Sequence, residues 1–255
     1  MLAGRNKKQI LKAFIHIEHY IALFNMIKNY PSFFDNFKRY LTGEGKYPYN
    51  ILIKTPKKII NPTIYSHHDM LTVNEVFCRI DYPADLNINV IVDIGSNIGI
   101  TALYFLTRND KSRCYLYEPD NRNIKKLLEN LSNYKNRYYL FKKAVSHKKG
   151  ILDFGIEETG RYGGIGLNQK QIIKVDSLKI NDVLSDIFKR EKTIDILKID
   201  IEGLEEETIK SISPEYLNKI KRIYFESTPK IKLFTNIFNQ KQYGSVCHLI
   251  NKVLI

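Results

Sequence analysis

Apolar positions in the first forty residues recur at helical spacing. Ile10, Leu11, Phe14, Ile15 and Ile17 are followed by Tyr20, Ile21, Leu23 and Phe24, a pattern that predicts helix over most of residues 5–40. Pro31 marks a break, and Ser32 stands where it could cap a second short helix carrying Phe33, Phe34, Phe37 and Tyr40. The stretch LTGEGKYPYN that follows has two glycines and a proline and reads as a loop. This makes residues 1–60 a small N-terminal helical appendage, with its boundary in the loop near 41–60, and residues 61–255 the main domain. The apolar stripe of the appendage is expected to pack on that domain. A membrane surface or a second copy of the chain are the alternatives, because Lys7, Lys8, Lys12 and Lys28 flank it.

From residue 70 onward the pattern alternates. Helical spacing in VNEVFCRI gives way to the β-branched run NVIVDIG, then to the helix SNIGITALYFLTRN and the strand RCYLYEP. A further helix (NRNIKKLLENLSNY) and strand (RYYLFKKAV) follow. IDILKID, EEETIKSI and KRIYFES then read as strand, helix and strand. Near-continuous apolar strands alternating with helices predict an α/β fold: a mostly parallel twisted sheet with helices on both faces. Ligands of such sheets bind beyond the carboxyl ends of the strands, where the strand order reverses. The residues just after each strand are therefore the ones that matter.

Composition narrows the partners. The chain has 255 residues, 44% hydrophobic and 26% charged, which is the range of a folded globular protein rather than a disordered one. Lys and Arg number 40 against 27 Asp and Glu, a net charge of +13 that favours anionic partners. The three cysteines form no CxxC pair, which argues against a disulfide framework or a thiolate zinc site and suggests a cytoplasmic setting. No run of eighteen apolar residues spans a membrane, and the basic, amphipathic start lacks the form of a secretory signal. Peripheral membrane contact stays open. No basic-aromatic cluster resembles a base-stacking surface, so no specific nucleic-acid partner is expected.

Four strand-end motifs carry the chemistry. Asp93-Ile94-Gly95-Ser96-Asn97-Ile98-Gly99 follows the first strand. Gly95 permits a tight turn, Gly99 a close helix approach, and the amides of Gly95–Asn97 are expected to face a ligand. Asp93 is an acceptor able to hold an amine or a water. The position that would admit a pyrophosphate is Asn97 rather than glycine, which argues for a ligand without a diphosphate. Glu118, 25 residues after Asp93, suits the two hydroxyls of a ribose, and Pro119 follows it at a helix start. In Lys142–Ser146, the small apolar Ala144 and Val145 could flank an adenine. In LKIDIEGLE, period two puts Lys198, Asp200 and Glu202 on one side of a strand end, and Glu226 ends the next strand. The glycine-rich GRYGGIG at 160–166 is a mobile surface loop or a lid.

Together these motifs resemble the FkbM family of S-adenosylmethionine-dependent methyltransferases. The resemblance rests on VIVDIGSNIG at 90–99, YEPDNRN at 117–123, KAVSHKKG at 143–150, VDSL at 175–178 and LKIDIEGLE at 197–205. It covers roughly residues 62–230. It implies a Rossmann-like class I methyltransferase fold and transfer of a methyl group from S-adenosyl-L-methionine to a hydroxyl, on a sugar or glycan precursor of surface polysaccharide. A small secondary metabolite, RNA, or a non-catalytic scaffold role are the alternatives. An acceptor of this kind could be anionic or nucleotide-linked. The implied cofactor contacts are Asp93, Gly95, Ser96, Asn97, Gly99, Thr101, Glu118, Pro119, Ala144 and Val145. The segment SHHDMLTVNEVF at 66–77 adds Asp69; it lacks the family's usual arginine and carries His67 and His68 instead. Asp200 and Glu202 are the candidate bases, with Lys198 beside them and His68 as an outside choice. A Mg²⁺ shared by Asp200 and Glu226 is a less favoured route to the same end.

Overall fold

The computed structural model describes residues 17–156, 163–165, 171–201 and 203–255. It divides into two compact units, Met1–Pro83 and Ala84–Ile255. In the first unit, helices Ile17–Asn29 and Phe33–Thr42 break at Tyr30–Ser32, as the proline predicts. A third helix, His67–Asn74, runs on into a π-helical turn at Glu75–Arg79. The last carbonyls of such a turn have no partner within the helix. Asn25 Nδ2 donates to the Cys78 carbonyl at 2.7 Å and Asn29 Nδ2 to that of Phe77 at 2.9 Å, one helical turn apart. Those bonds tie residues 61–83 to the N-terminal helices, so the units part at Pro83 rather than near residue 60.

Helix Ile17–Asn29 buries Ala22 and Met26. Its other face, with Tyr20, Ile21, Leu23 and Phe24, is exposed. The earlier part of the apolar stripe, Ile10 to Ile15, and the basic Lys7, Lys8 and Lys12 lie outside the described residues.

The second unit alternates as its sequence predicts. Its elements are β1 (Val90–Ile94), α1 (Ile100–Leu106), β2 (Arg113–Tyr117), α2 (Asn121–Asn130), β3 (Tyr138–Phe141), β4 (Ala144–Ser146), β5 (Gly150–Ile156), β6 (Gly163–Ile165), β7 (Gln171–Lys179), α3 (Ile180–Phe188), β8 (Ile194–Ile199), α4 (Glu205–Lys210), α5 (Pro214–Leu217), β9 (Ile220–Glu226), β10 (Phe238–Tyr243) and β11 (Val246–Asn251). Seven strands form one sheet in the order β10-β11-β9-β8-β1-β2-β3. β1, β2, β3, β8 and β9 are parallel, and β11 inserts antiparallel between β9 and β10. This is a Rossmann-like α/β fold of the class I methyltransferase type. β1 and β8 are buried at every position, which is why they read as unbroken apolar runs. Val92, Ile94, Leu197, Ile199 and Phe225 pack with Val183 and Leu184 of α3 in one core.

The run RYYLFKKAV is two strands rather than one. It breaks at Lys142–Lys143, and β4 joins a second sheet in the order β6-β5-β7-β4. Of the glycine-rich segment at 160–166, Gly163–Ile165 forms β6; the rest lies outside the described residues.

Strand order reverses between β1 and β8, which puts the expected crevice at their carboxyl ends. Their amino ends are fastened by Asp195, a buried carboxylate in β8. It accepts the amides of Asn89 at 2.7 Å and Val90 at 2.9 Å and pairs with Lys221 of β9 at 2.7 Å. Removing it leaves two strand amides and a lysine without their acceptor. Asp195→Ala is expected to lower the unfolding free energy by about 3 kcal/mol, measured by urea denaturation; a change inside experimental error would show that the strands need no such anchor.

Candidate active site

The carboxyl ends of β1 and β8 meet closely. Asp200 donates its amide to the Ile94 carbonyl at 3.0 Å. Gly95 has φ +80°, and a Cβ there would stand 1.8 Å from the Asp200 carbonyl oxygen. Both the conformation and the space demand glycine. Gly99, φ +84°, lets α1 approach α2: a Cβ would meet Leu127 Cγ at 3.2 Å.

Beneath this junction lies a buried lysine. Period two does carry Lys198 and Asp200 to the same side, and it also brings Lys198 opposite Asp93 in the parallel register. Lys198 Nζ donates to the Gly95 carbonyl at 3.0 Å and stands 3.1 Å from Asp93 Oδ1 and 3.3 Å from Asp200 Oδ2. Asp93 and Lys198 are buried, while the Asp200 side chain keeps 28% of its surface. The contact to Asp93 is an ion pair that is off the hydrogen-bonding direction, and neither Asp93 oxygen accepts a hydrogen bond. Burial pushes the Asp93 carboxyl above its ordinary value, and the Lys198 charge opposes that. Burial pulls Lys198 down, but Asp93 and Asp200 outweigh it, so the amine stays protonated. The amine expected beside Asp93 is therefore one of the protein's own. Lys198 is too buried to meet an acceptor and instead holds carboxylates in place.

Glu118 ends β2 and is likewise buried. One oxygen accepts the Asn97 amide and the other the Asp120 amide, both at 2.9 Å. It thus ties the glycine turn to the start of α2, which is capped by Asp120 rather than by Glu118 itself. Burial raises its carboxyl to about 7, with the two amides holding it back. The expectation that the turn's amides face a ligand is not met. Gly95 and Ser96 donate to the Tyr117 carbonyl at 2.9 and 3.1 Å, and Asn97 to Glu118. Ser96 Oγ donates to the Asp93 carbonyl at 2.8 Å. Thr101 is buried in the first turn of α1, and Pro119 is half-buried between β2 and α2.

The remaining candidates belong to other elements. Ala144 and Val145 are buried inside β4 of the second sheet, not at the rim after β3. Asp69 and His68 belong to the first unit. There the Asp69 carboxylate accepts the Tyr65 amide at 2.7 Å and closes the start of its own helix, while His68 is half-buried. Glu202 lies outside the described residues. Its flanks are fixed by Glu205, which accepts the amides of Ile201 at 3.0 Å and Gly203 at 2.9 Å. That bracing role, like Asp195's, had no signal in the sequence beyond an acid near a turn. Asp200 and Glu226 end neighbouring strands, since Ile199 pairs with Phe225. The ammonium of Lys198 already stands beside Asp200, where a shared Mg²⁺ would need that carboxylate. Among the described residues no group of three or more His, Cys, Asp or Glu is arranged to hold a metal. Beyond the strand ends, Gly203, Glu205, Glu206, Glu207, Lys210, Glu226 and Ser227 line a cleft of about 490 Å³.

Residues 93–245, more than half of the chain, match the Methyltransferase FkbM domain. The chain belongs to the FkbM methyltransferase family. The FkbM match contains Asp93, Glu118, Lys198, Asp200 and Glu226; His68 and Asp69 precede it. A curated relative, the 2-O-methyltransferase NoeI of Sinorhizobium fredii, is 28% identical over 155 residues, covering 54% of this chain and 62% of the relative. The chain thus spans less than two thirds of that relative's length. Among solved structures, an FkbM methyltransferase from Methylobacillus flagellatus overlaps 72% of this chain and 54% of its own at 12% identity and a TM-score of 0.40. TrmK of M. capricolum, solved with S-adenosyl-homocysteine, overlaps 71% of this chain and 68% of its own at 13% identity and a TM-score of 0.37.

Glu118 generates a pH signature. An unfolded glutamate releases its proton near pH 4.3, whereas the buried one keeps it to about 7. Between those values the folded state binds the extra proton, so Glu118 makes stability fall as pH rises, by at most about 4 kcal/mol across the window. Glu118→Gln removes that slope. Denaturation of both proteins from about pH 5 to about pH 8 should show the wild type losing stability relative to the variant as pH rises; parallel curves would place the Glu118 proton loss at the ordinary glutamate range.

Proposed function

We propose that the chain is an S-adenosylmethionine-dependent O-methyltransferase that methylates a hydroxyl of a sugar or glycan precursor. The observation that carries this is the Asp93–Lys198–Asp200 cluster at the point where the strand order reverses. It offers one partly exposed carboxylate, held from below, at the position where chemistry on such a sheet occurs. The cofactor fits the residues in part. Glu118 accepts from two amides and from the Asn123 side chain, and a carboxylate's remaining lone pair is the one proposed for a ribose hydroxyl. The Asp93 carboxylate, wholly buried against Lys198, shapes the floor of the site rather than meeting the cofactor's ammonium. The turn amides are spent, and they serve the shape of the site rather than a ligand.

When bound, the cofactor supplies a methyl group already activated on a sulfonium. What remains for the protein is to align the acceptor hydroxyl and remove its proton. Lys198 engages Asp200 Oδ2 and fixes the carboxylate, leaving the other oxygen to accept the proton. Alignment itself is worth up to roughly 7–11 kcal/mol in well-oriented reactions. The cleft beyond β8 and β9 supports the acceptor class. Its lining is four glutamates, a lysine and a serine hydroxyl, with little apolar surface, which suits the many hydroxyls of a sugar. The same carboxylates favour a neutral or cationic acceptor over an anionic one. The similarity to a 2-O-methyltransferase supports transfer to an oxygen.

Asp200→Asn keeps the shape and removes the base. Transfer of labelled methyl to a panel of mono- and oligosaccharides is expected to fall by about 10²–10⁴-fold, with cofactor affinity by calorimetry unchanged. Retained turnover would assign the proton to another group, and transfer to phenols but to no sugar would overturn the glycan acceptor. Glu118→Ala is expected to weaken S-adenosylmethionine binding by about 1.5–3 kcal/mol, the scale of a charge-assisted hydrogen bond. Unchanged affinity would remove Glu118 from the ribose.

A further inference from the structure

The glutamates that line the cleft beyond β8 and β9 differ in what they already hold. Glu205 accepts the amides of Ile201 and Gly203, one with each oxygen. Glu206 accepts from Ser227 Oγ at 2.9 Å through Oε1 and from Lys210 Nζ at 2.7 Å through Oε2. Glu226 lies in the field of the Lys198 ammonium. Glu207 has no lysine, arginine or amide of this kind. Among the described residues its carboxylate meets one polar side chain, His147, whose Nε2 stands 3.5 Å from Oε2.

His147 comes from a different layer. It follows β4, the edge strand of the second sheet, against which α4 packs. Its ring keeps 21% of its surface, and Nδ1 is buried with no hydrogen-bond partner. A proton on Nδ1 would be a buried donor with nothing to receive it. The imidazole proton therefore belongs on Nε2, the nitrogen turned toward Glu207. In that tautomer the ring carries no charge. It steers the carboxylate without cancelling its negative charge, as Lys210 does for Glu206. A carboxylate has about four acceptor sites. His147 engages one, and the Glu207 side chain, 65% exposed, presents the others to the cleft. An acceptor group fixed in direction and still charged is what recognition of a hydroxyl requires.

We propose that Glu207 determines acceptor specificity by accepting a hydrogen bond from a sugar hydroxyl other than the one methylated, and that His147 is a positioning residue acting through it. The assignment rests on the sugar acceptor proposed above. Two carboxylates then divide the work. Asp200, braced by Lys198, removes the proton, and Glu207, braced by His147, holds the ring that bears it. Glu207 makes the same bond before and during transfer, so it bears on acceptor binding and not on the chemical step.

Steady-state kinetics with a sugar that the wild type methylates, at saturating S-adenosylmethionine, test this. Glu207→Ala changes a mostly exposed side chain and should raise the acceptor KM by about tenfold or more, with kcat, cofactor affinity and the thermal melt unchanged. Among deoxy analogues of that sugar, one should lose a similar factor with the wild type and nothing further with Glu207→Ala. His147→Leu should raise the same KM by about two- to fivefold. His147→Gln, whose amide places an N–H near the position of Nε2, should keep the wild-type value. In the Glu207→Ala protein, His147→Leu should add nothing. An unchanged KM in Glu207→Ala, from a wild type that methylates sugars, would overturn this assignment and leave the sugar acceptor standing. A lowered kcat at constant KM would place Glu207 in the chemistry and overturn it as well. Additive effects of the two substitutions would overturn the positioning role of His147. Transfer to no sugar at all would remove the sugar acceptor, and the role of Glu207 with it.

Discussion

A single buried ammonium sets the geometry on which the rest of the site depends. Moving a lysine head out of water costs several kcal/mol even after the protein relaxes around it. Lys198 is nonetheless buried in the middle of a parallel sheet. It is tolerated because two carboxylates and a carbonyl oxygen, all within about 3.3 Å, converge on it. Each of those acceptors belongs to a strand end. Asp93 and Gly95 come from β1 and its turn, and Asp200 follows β8. The charge can therefore be satisfied only if the two strands stop at the same height and Gly95 lies against the Asp200 carbonyl. The ion pair stabilises little beyond what apolar packing would give there, but it specifies one register and one position for Asp200.

A second carboxylate extends that specification sideways. Glu118 couples the glycine turn after β1 to the helix start after β2 with two short bonds, using both of its oxygens. An amide side chain in its place has one acceptor oxygen and would present a donor to one of the two amides. The residue is thus structural, and its raised pKa reflects how little water reaches it. The net charge of +13 describes the surface at large and not the cleft, where four glutamates face one lysine. Long-range charge governs what approaches the protein, whereas the cleft lining governs what stays.

The strand-end acids were legible because parallel sheets expose their carboxyl ends and little else. A short apolar run ending in an acid or a glycine marks such a position whether or not the partner strand is known. The pairings were not legible. Asp93 and Lys198 lie more than a hundred residues apart, and nothing local in either segment says that they meet. The turn amides misled for a related reason: a glycine turn at a helix start looks alike whether its amides face a ligand or a neighbouring carbonyl, and here the Tyr117 carbonyl takes two of them. A lysine pair inside the apolar run gave no sign that the chain changes sheets before Ala144 and Val145. The two asparagine bonds that hold the π-helical turn have no periodic signature either.

The exposed helix face is a case where the pattern was plain and its meaning was not. Helical spacing says that a stripe exists, and a stripe on a folded protein is buried more often than not. What covers it depends on area and charge, which become quantities only once the helix is seen with Phe24 outward and Met26 inward. The FkbM match begins at Asp93, beyond the whole of the first unit, so this face lies outside the part of the chain that carries the family's chemistry.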